Sequence, residues 1–313
     1  QAEDVIRDLS LSLVGSEMCI RDRLWILLTV AAAFLQTVRS SLQKRATGPL
    51  SVNGASYLRF VFALPFVWAY LGGLLLLERS LPELPWQFYV FCLTGGIAQI
   101  IGTSALVGSF SHGNFALGTT FSKTEVLLTA LVGAVLLSEK LTLLQWAGIG
   151  VSFFGVALLT TRDGLKNIAS DQRALLLGVL AGAGFAVSAV CYRAAALSLP
   201  SGDFLLRAGA TLAVTVTLQS LLMGVFLRLR EPGELGRVIA SWRNGIWVGL
   251  AGASASAGWF TAMTLVNAAL VRALGQIELL FSFAISIWFF RERIKGIEIA
   301  GAVLVVLGIW LLL

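Results

Sequence analysis

Residues 114–155 read NFALGTTFSKTEVLLTALVGAVLLSEKLTLLQWAGIGVSFFG, and residues 267–308 read NAALVRALGQIELLFSFAISIWFFRERIKGIEIAGAVLVVLG. A shift of 153 positions lays Asn114 on Asn267, Ala116 on Ala269, Glu125 on Glu278, Glu139 on Glu292, Ala147 on Ala300, Gly148 on Gly301 and Gly155 on Gly308. Glycines in apolar runs match readily by chance. Two glutamates held in register inside such runs do not. The chain therefore carries an internal repeat, and the repeat decides the architecture.

Working outward, a shift of 148 aligns the earlier parts of the two copies, placing Arg45 on Arg193, Gly54 on Gly202 and Arg59 on Arg207. Five extra residues between the second and third apolar runs of the second copy account for the difference. The 313 residues are 57% hydrophobic and 13% charged, with a mean hydropathy of +0.86, which excludes an ordinary soluble domain. A bilayer core about 30 Å thick needs roughly 20 apolar residues per helical crossing. Such runs are predicted at 24–44, 54–77, 87–110, 114–137 and 142–161, and again at 174–197, 203–227, 245–266, 268–290 and 295–313.

The expected fold is thus an all-α polytopic membrane protein, with about ten transmembrane helices in two inverted five-helix repeats. The repeats cover 24–162 and 174–313, joined by a polar linker at 163–173. An odd number of spans per copy makes the second copy enter from the opposite face, a recurrent design of secondary transporters. Residues 1–23 are charged and aperiodic, and the run Met18-Cys19-Ile20-Arg21-Asp22 is like a translated sequencing-adapter tail, so this stretch is expected to lie outside the fold.

Other function classes find little support. Cys19, Cys92 and Cys191 are scattered, with neither a disulfide framework nor a zinc-site spacing. The net charge of +6 sits mostly between apolar runs rather than in a basic patch interleaved with aromatics, so no nucleic-acid partner is expected. There is no Walker A loop, H-E-x-x-H pair or G-x-S-x-G elbow. No cofactor or metal is expected, and His112, the only histidine, falls in a predicted turn.

The junctions between the last two spans of each copy carry a further signal. The first reads Leu137-Ser138-Glu139-Lys140-Leu141-Thr142, then Gln145, Gly148 and Gly155; the second reads Phe290-Arg291-Glu292-Arg293-Ile294, then Gly301 and Gly308. From about Leu24 to Leu313 the chain resembles the EamA-type carriers of the drug/metabolite transporter superfamily. The second junction departs in having Lys295 and Ile299 where the first has Thr142 and Trp146. The resemblance implies a ten-helix secondary carrier in the bacterial cytoplasmic (inner) membrane.

Glu125 and Glu278 fall midway along the fourth and ninth spans, where a carboxylate costs at least about 2.5 kcal/mol unless it faces a wet cavity or a partner. They read either as cavity carboxylates that bind a cation or take up protons, or as members of buried ion pairs, Glu125 with Lys123 or Arg59. Lys123, Arg39, Arg59, Arg207 and Arg272 outnumber these acids, which points to an anionic or zwitterionic solute. Lys123 is the deepest base. Arg39 and Arg272 also fit bases snorkelling from span ends. Arg59 and Arg207 stand five or six residues inside their predicted spans, with either a binding role or an interfacial one.

Asn114 and Asn267 open the fourth and ninth spans as N-caps. Glu139, Glu292, Gly148 and Gly301 form a structural or gating motif. Gly178-x-x-x-Gly182 and Gly245-x-x-x-Gly249 have the spacing of close helix approach.

Two criteria for orientation disagree. Loops after odd-numbered spans hold twelve Lys and Arg against at most four after even-numbered ones, which puts the odd loops in the cytoplasm. The resemblance implies the reverse, with both termini cytoplasmic. The expected function is alternating-access transport of a small polar or amphipathic metabolite, with export and proton coupling as the simplest form. A flippase for a lipid-linked or amphipathic molecule and an intramembrane enzyme are the alternatives.

Overall fold

The computed structural model describes residues 23–43, 50–78, 82–111, 120–160, 172–281 and 296–313. The N-terminal tail, Arg45, His112, Asn114, the linker as far as residue 171, Glu292 and the latter part of the ninth predicted span lie outside the described residues. All regular structure among the described residues is helical.

In the first half, α1 runs Arg23–Gln43, α2 Val52–Val61, α3 Leu64–Glu78, α4 Trp86–Ser111, α5 Glu125–Leu137 and α6 Leu143–Thr160. In the second, α7 runs Gln172–Ser198, α8 Phe204–Arg230, α9 Glu234–Ala240, α10 Trp242–Leu265, α11 Ala268–Leu274 and α12 Gly296–Leu312. Every predicted span contains helix. Among the described residues, six helical segments are long and apolar enough to cross a bilayer: Arg23–Gln43, Val52–Leu77, Trp86–Ser109, Thr120–Leu137, Leu175–Ser198 and Phe204–Arg230. The apolar helices at Leu143–Leu159 and Gly296–Leu312 are shorter. The outward surface is apolar, with Leu76, Val135 and Leu143 all more than 80% exposed, as lipid requires and water does not tolerate in patches.

Three spans expected to be continuous are interrupted. The second turns at Phe62 and Ala63, where Pro65 near the start of α3 has no N–H to return to the preceding turn. The fourth turns at Lys123 and Thr124, and the ninth at Gly275 and Gln276, neither with a proline. Each of these last two breaks lies just before a repeat glutamate, so Glu125 is the first residue of α5 and Glu278 follows the break by two positions. Helix N-termini favour negative charge, and broken spans of this kind are a feature of transporter binding sites.

The copies meet along α6 and α12, which pack closely over most of their length. A Cβ on Gly148 would stand 2.9 Å from the Gly308 carbonyl oxygen, and one on Gly155 would stand 2.7 Å from that of Gly301. Gly148 therefore faces the partner of Gly155, and Gly155 the partner of Gly148, as a two-fold axis passing between α6 and α12 requires. Gly182 packs with a would-be Cβ 2.9 Å from the Ser122 carbonyl, while Gly245 and Gly249 lie against Phe62 at the break in the second span. The stretch between α8 and α10, expected to be loop, holds α9, whose buried Glu234 accepts from the Ser51 amide at 2.6 Å and pairs with Arg237 at 2.7 Å.

Candidate solute cavity

Between the halves lies a cavity of about 580 Å³, lined by Gln36 and Arg39 from α1, Arg59 from α2, Gln99 and Thr103 from α4, Lys123 and Glu125 at the fourth-span break, and Arg272 and Glu278 at the ninth. Its mouth is marked by Ser40 and Ser41, exposed at the end of α1, and by Leu106 near the end of α4. Inward it continues into a recess of about 60 Å³, which shares Gln36, Arg39, Arg59, Gln99 and Arg272 and adds Phe60, Tyr192, Gln219, Trp259 and Phe260. The volume is that of an ordinary small-molecule site.

The ion pairs cross between the halves. Lys123 Nζ lies 2.8 Å from Glu278 Oε1, and the Gln36 amide donates to Glu278 Oε2 at 2.7 Å. Gln36 Oε1 in turn accepts from the Trp259 indole at 3.1 Å, so the Glu278 carboxylate is held on both oxygens. Arg272 comes within 3.8 Å of Glu125, beyond hydrogen-bond reach, and its guanidinium sits 5.4 Å from the centre of the Trp259 ring. The expected pairing of Glu125 with Lys123 or Arg59 is thus not made. The cause is geometric: Lys123, in the turn before α5, reaches across to the other copy.

Arg39 and Arg272 line the cavity instead of snorkelling at span ends, and each has a buried Nε with no hydrogen-bond partner. Arg59 also faces the cavity, 4.4 Å from the Phe60 ring centre. Neither Arg39 nor Arg59 forms an ion pair among the described residues. Arg207 does not join them, because its Nε donates to the Gly202 carbonyl at 2.9 Å at the start of its own span. The two arginines are not equally deep, since Arg59 is the eighth residue of α2 and Arg207 the fourth of α8. Asn267 occupies the N-cap position of α11, but its side chain makes no capping bond there.

Charge counting alone missed the neutral polar groups of the recess. The Tyr192 hydroxyl donates to the Gly95 carbonyl at 3.0 Å, its ring stacks on Phe260 at 4.6 Å, and the Gln219 amide donates to Gln99 Oε1 at 2.7 Å. Gln36, Gln99 and Gln219 inside apolar runs were the available signal.

Glu139 lies at the opposite end of the molecule, where the fourth, sixth and eighth spans end. Its carboxylate accepts from Arg193, whose Nη1 also donates to the carbonyls of Met263 at 2.6 Å and Val266 at 2.7 Å. One guanidinium thereby joins the end of α5, α7 and the unsatisfied carbonyls at the C-terminus of α10. The cavity mouth opens on the other side, between the ends of the first and third spans.

The sequence model of an EamA-like transporter family matches residues 23–161 and 172–313, one match for each repeat. One crystal structure of a protein matches with a TM-score of 0.69 and 18% identity, over 92% of this chain and 95% of that one, a likeness of fold. No curated protein matches.

Proposed function

Because the chain belongs to the EamA-like transporter family and is a multi-pass membrane protein, we propose that it is a ten-span secondary transporter that exports a small polar or amphipathic metabolite by alternating access across the bacterial cytoplasmic membrane. The observation that carries this reading is the cavity between the halves, lined by charged groups from both and open toward one side, while Arg193 and Glu139 tie the other side together. Exchange of these two arrangements between the faces is what inverted repeats make possible.

Glu125 is the carboxylate assigned to coupling in this reading, because Glu278 is engaged by Lys123 and Gln36 while Arg272 stands 3.8 Å from Glu125, beyond hydrogen-bond reach. The test is uptake of a mixed metabolite pool into proteoliposomes with and without an imposed pH gradient. Gradient-driven accumulation is expected for the parent and not for Glu125→Gln. Equal accumulation by both would remove Glu125 from the coupling, and none by a folded parent would sink the carrier reading.

One observation favours a flippase as the second reading. An apolar groove of about 490 Å³, lined by Leu28, Leu35, Phe66 and Leu250 among others, shares Leu212 and Ala253 with the polar recess. Scrambling of a fluorescent phospholipid in the same vesicles would select it.

A further inference from the structure

The cavity is unevenly charged. Among the described lining residues, Arg39, Arg59, Lys123 and Arg272 face two carboxylates, Glu125 and Glu278. Lys123 is neutralised by Glu278 at 2.8 Å and Arg272 is partly matched by Glu125 at 3.8 Å, so the excess positive charge rests on Arg39 and Arg59. Removing an uncompensated charge from water costs several kcal/mol. A folded protein holds two of them inside a span region when something else supplies the opposite charge.

The side-chain chemistry narrows the choice of that counter-charge. A guanidinium is a planar fork that meets carboxylate and phosphate oxygens two at a time, which an ammonium does not. Arg39 Nε is buried with no partner, and both arginines line the recess as well as the wider cavity. Around them the recess is aromatic: Phe60 under Arg59, Trp259 under Arg272, and the stacked Tyr192 and Phe260. A cationic solute would meet this excess of like charge. A sugar or other neutral polyol would leave both guanidiniums uncompensated.

Resting on the carrier reading, we infer that the solute is an organic dianion, a phosphomonoester or a vicinal dicarboxylate, whose charged end sits between Arg39 and Arg59 at the recess of about 60 Å³ and whose body lies in the wider cavity of about 580 Å³. Glu125 and Glu278 do not hold the solute's charge in this arrangement; they hold the other two bases away from it. The solute's charged end completes the charge balance of the cavity.

The test uses the purified full chain in detergent, with binding followed by thermal shift and by tryptophan fluorescence. The probes are phenyl phosphate and phthalate, with benzylamine as the cationic control and L-phenylalanine as the zwitterionic one. At least one of the two anions binds to the parent, and Arg39→Gln and Arg59→Gln each weaken it by about thirtyfold or more. Arg207→Gln leaves it within about twofold, and Arg59→Lys, which keeps the charge but loses the fork, falls between. Should a Gln variant fail to fold, Arg39→Lys and Arg59→Lys carry the comparison.

Binding of benzylamine or L-phenylalanine in preference to both anions would overturn the inference. So would anion binding that survives Arg39→Gln and Arg59→Gln together, or a folded parent that binds neither anion. Counterflow of labelled phthalate and L-phenylalanine in proteoliposomes separates this inference from the carrier reading. Arginine-dependent anion binding without any counterflow sinks the carrier and leaves the anion site. L-Phenylalanine counterflow without anion binding does the opposite.

Discussion

Arg59 and Arg207 occupy the same position of the repeat and do different things. Arg59 reaches the cavity, whereas Arg207 turns back to the Gly202 carbonyl at the mouth of its own span. The difference comes from where each helix begins. α2 starts at Val52 and α8 at Phe204, so Arg59 is four residues deeper, about 6 Å along the axis. Ser51 caps α2 by accepting from the Gly54 amide, and Asp203 caps α8 by accepting from the Leu206 amide, so each start is fixed locally. Glu125 and Glu278, by contrast, both kept their place beyond a break. Repeat-equivalent residues keep equivalent places where the local helix breaks match and part where the helix starts do not.

This contrast is most exposed at the two glutamates. Glu278→Leu should lower stability by about 3–5 kcal/mol, because it leaves the Lys123 ammonium buried without its acceptor, and adding Lys123→Met should recover most of the loss. Glu125→Leu should cost clearly less, since Arg272 stands 3.8 Å away with no hydrogen bond to lose. Denaturation in detergent decides, and equal losses would mean that the two carboxylates are equivalent after all.

A smaller effect is expected at Arg193. Arg193→Gln should cost upwards of about 2 kcal/mol by freeing Glu139 and the carbonyls of Met263 and Val266. Buried Cys191 should then label faster with a membrane-permeant maleimide. An unchanged labelling rate would show that this side is held closed by other contacts.

The smallest effects test the symmetric part. Gly148→Ala and Gly301→Ala should each cost about 1–3 kcal/mol, because both Cβ atoms would press on the opposing backbone. Gly150, with open space around its Cβ position, should tolerate alanine and gain up to about 1 kcal/mol from helix propensity. A loss at only one of Gly148 and Gly301 would break the two-fold reading of α6 and α12.

Hydropathy and the repeat made the order of spans, the twin glutamates and the close glycines legible, because each depends on spacing along one chain. The breaks at Lys123 and Gly275 were not legible, since no proline marks them and a polar cavity, not local propensity, determines where an apolar helix turns. Pro65 did mark the break in the second span. The crossed pairing of Lys123 with Glu278 spans 155 residues and follows only from the packing of one copy on the other. Arg39 and Arg272 looked like interfacial bases because sequence distance from a span end does not reveal which way a side chain faces. Gln36, Gln99 and Gln219 were overlooked because they carry no charge.

The surplus of two bases among the described residues of the cavity has an electrical consequence. With the proposed dianion seated, these charges would sum to nearly zero, and the loaded carrier would reorient without feeling the membrane voltage. The empty carrier takes about two positive charges with it, and at roughly 2.3 kcal/mol per charge for each 100 mV the field biases that step by about 4.6 kcal/mol. For the export cycle proposed above, a potential negative inside would draw the empty cavity toward the cytoplasm, where it would refill, and the voltage itself would give that cycle its outward direction.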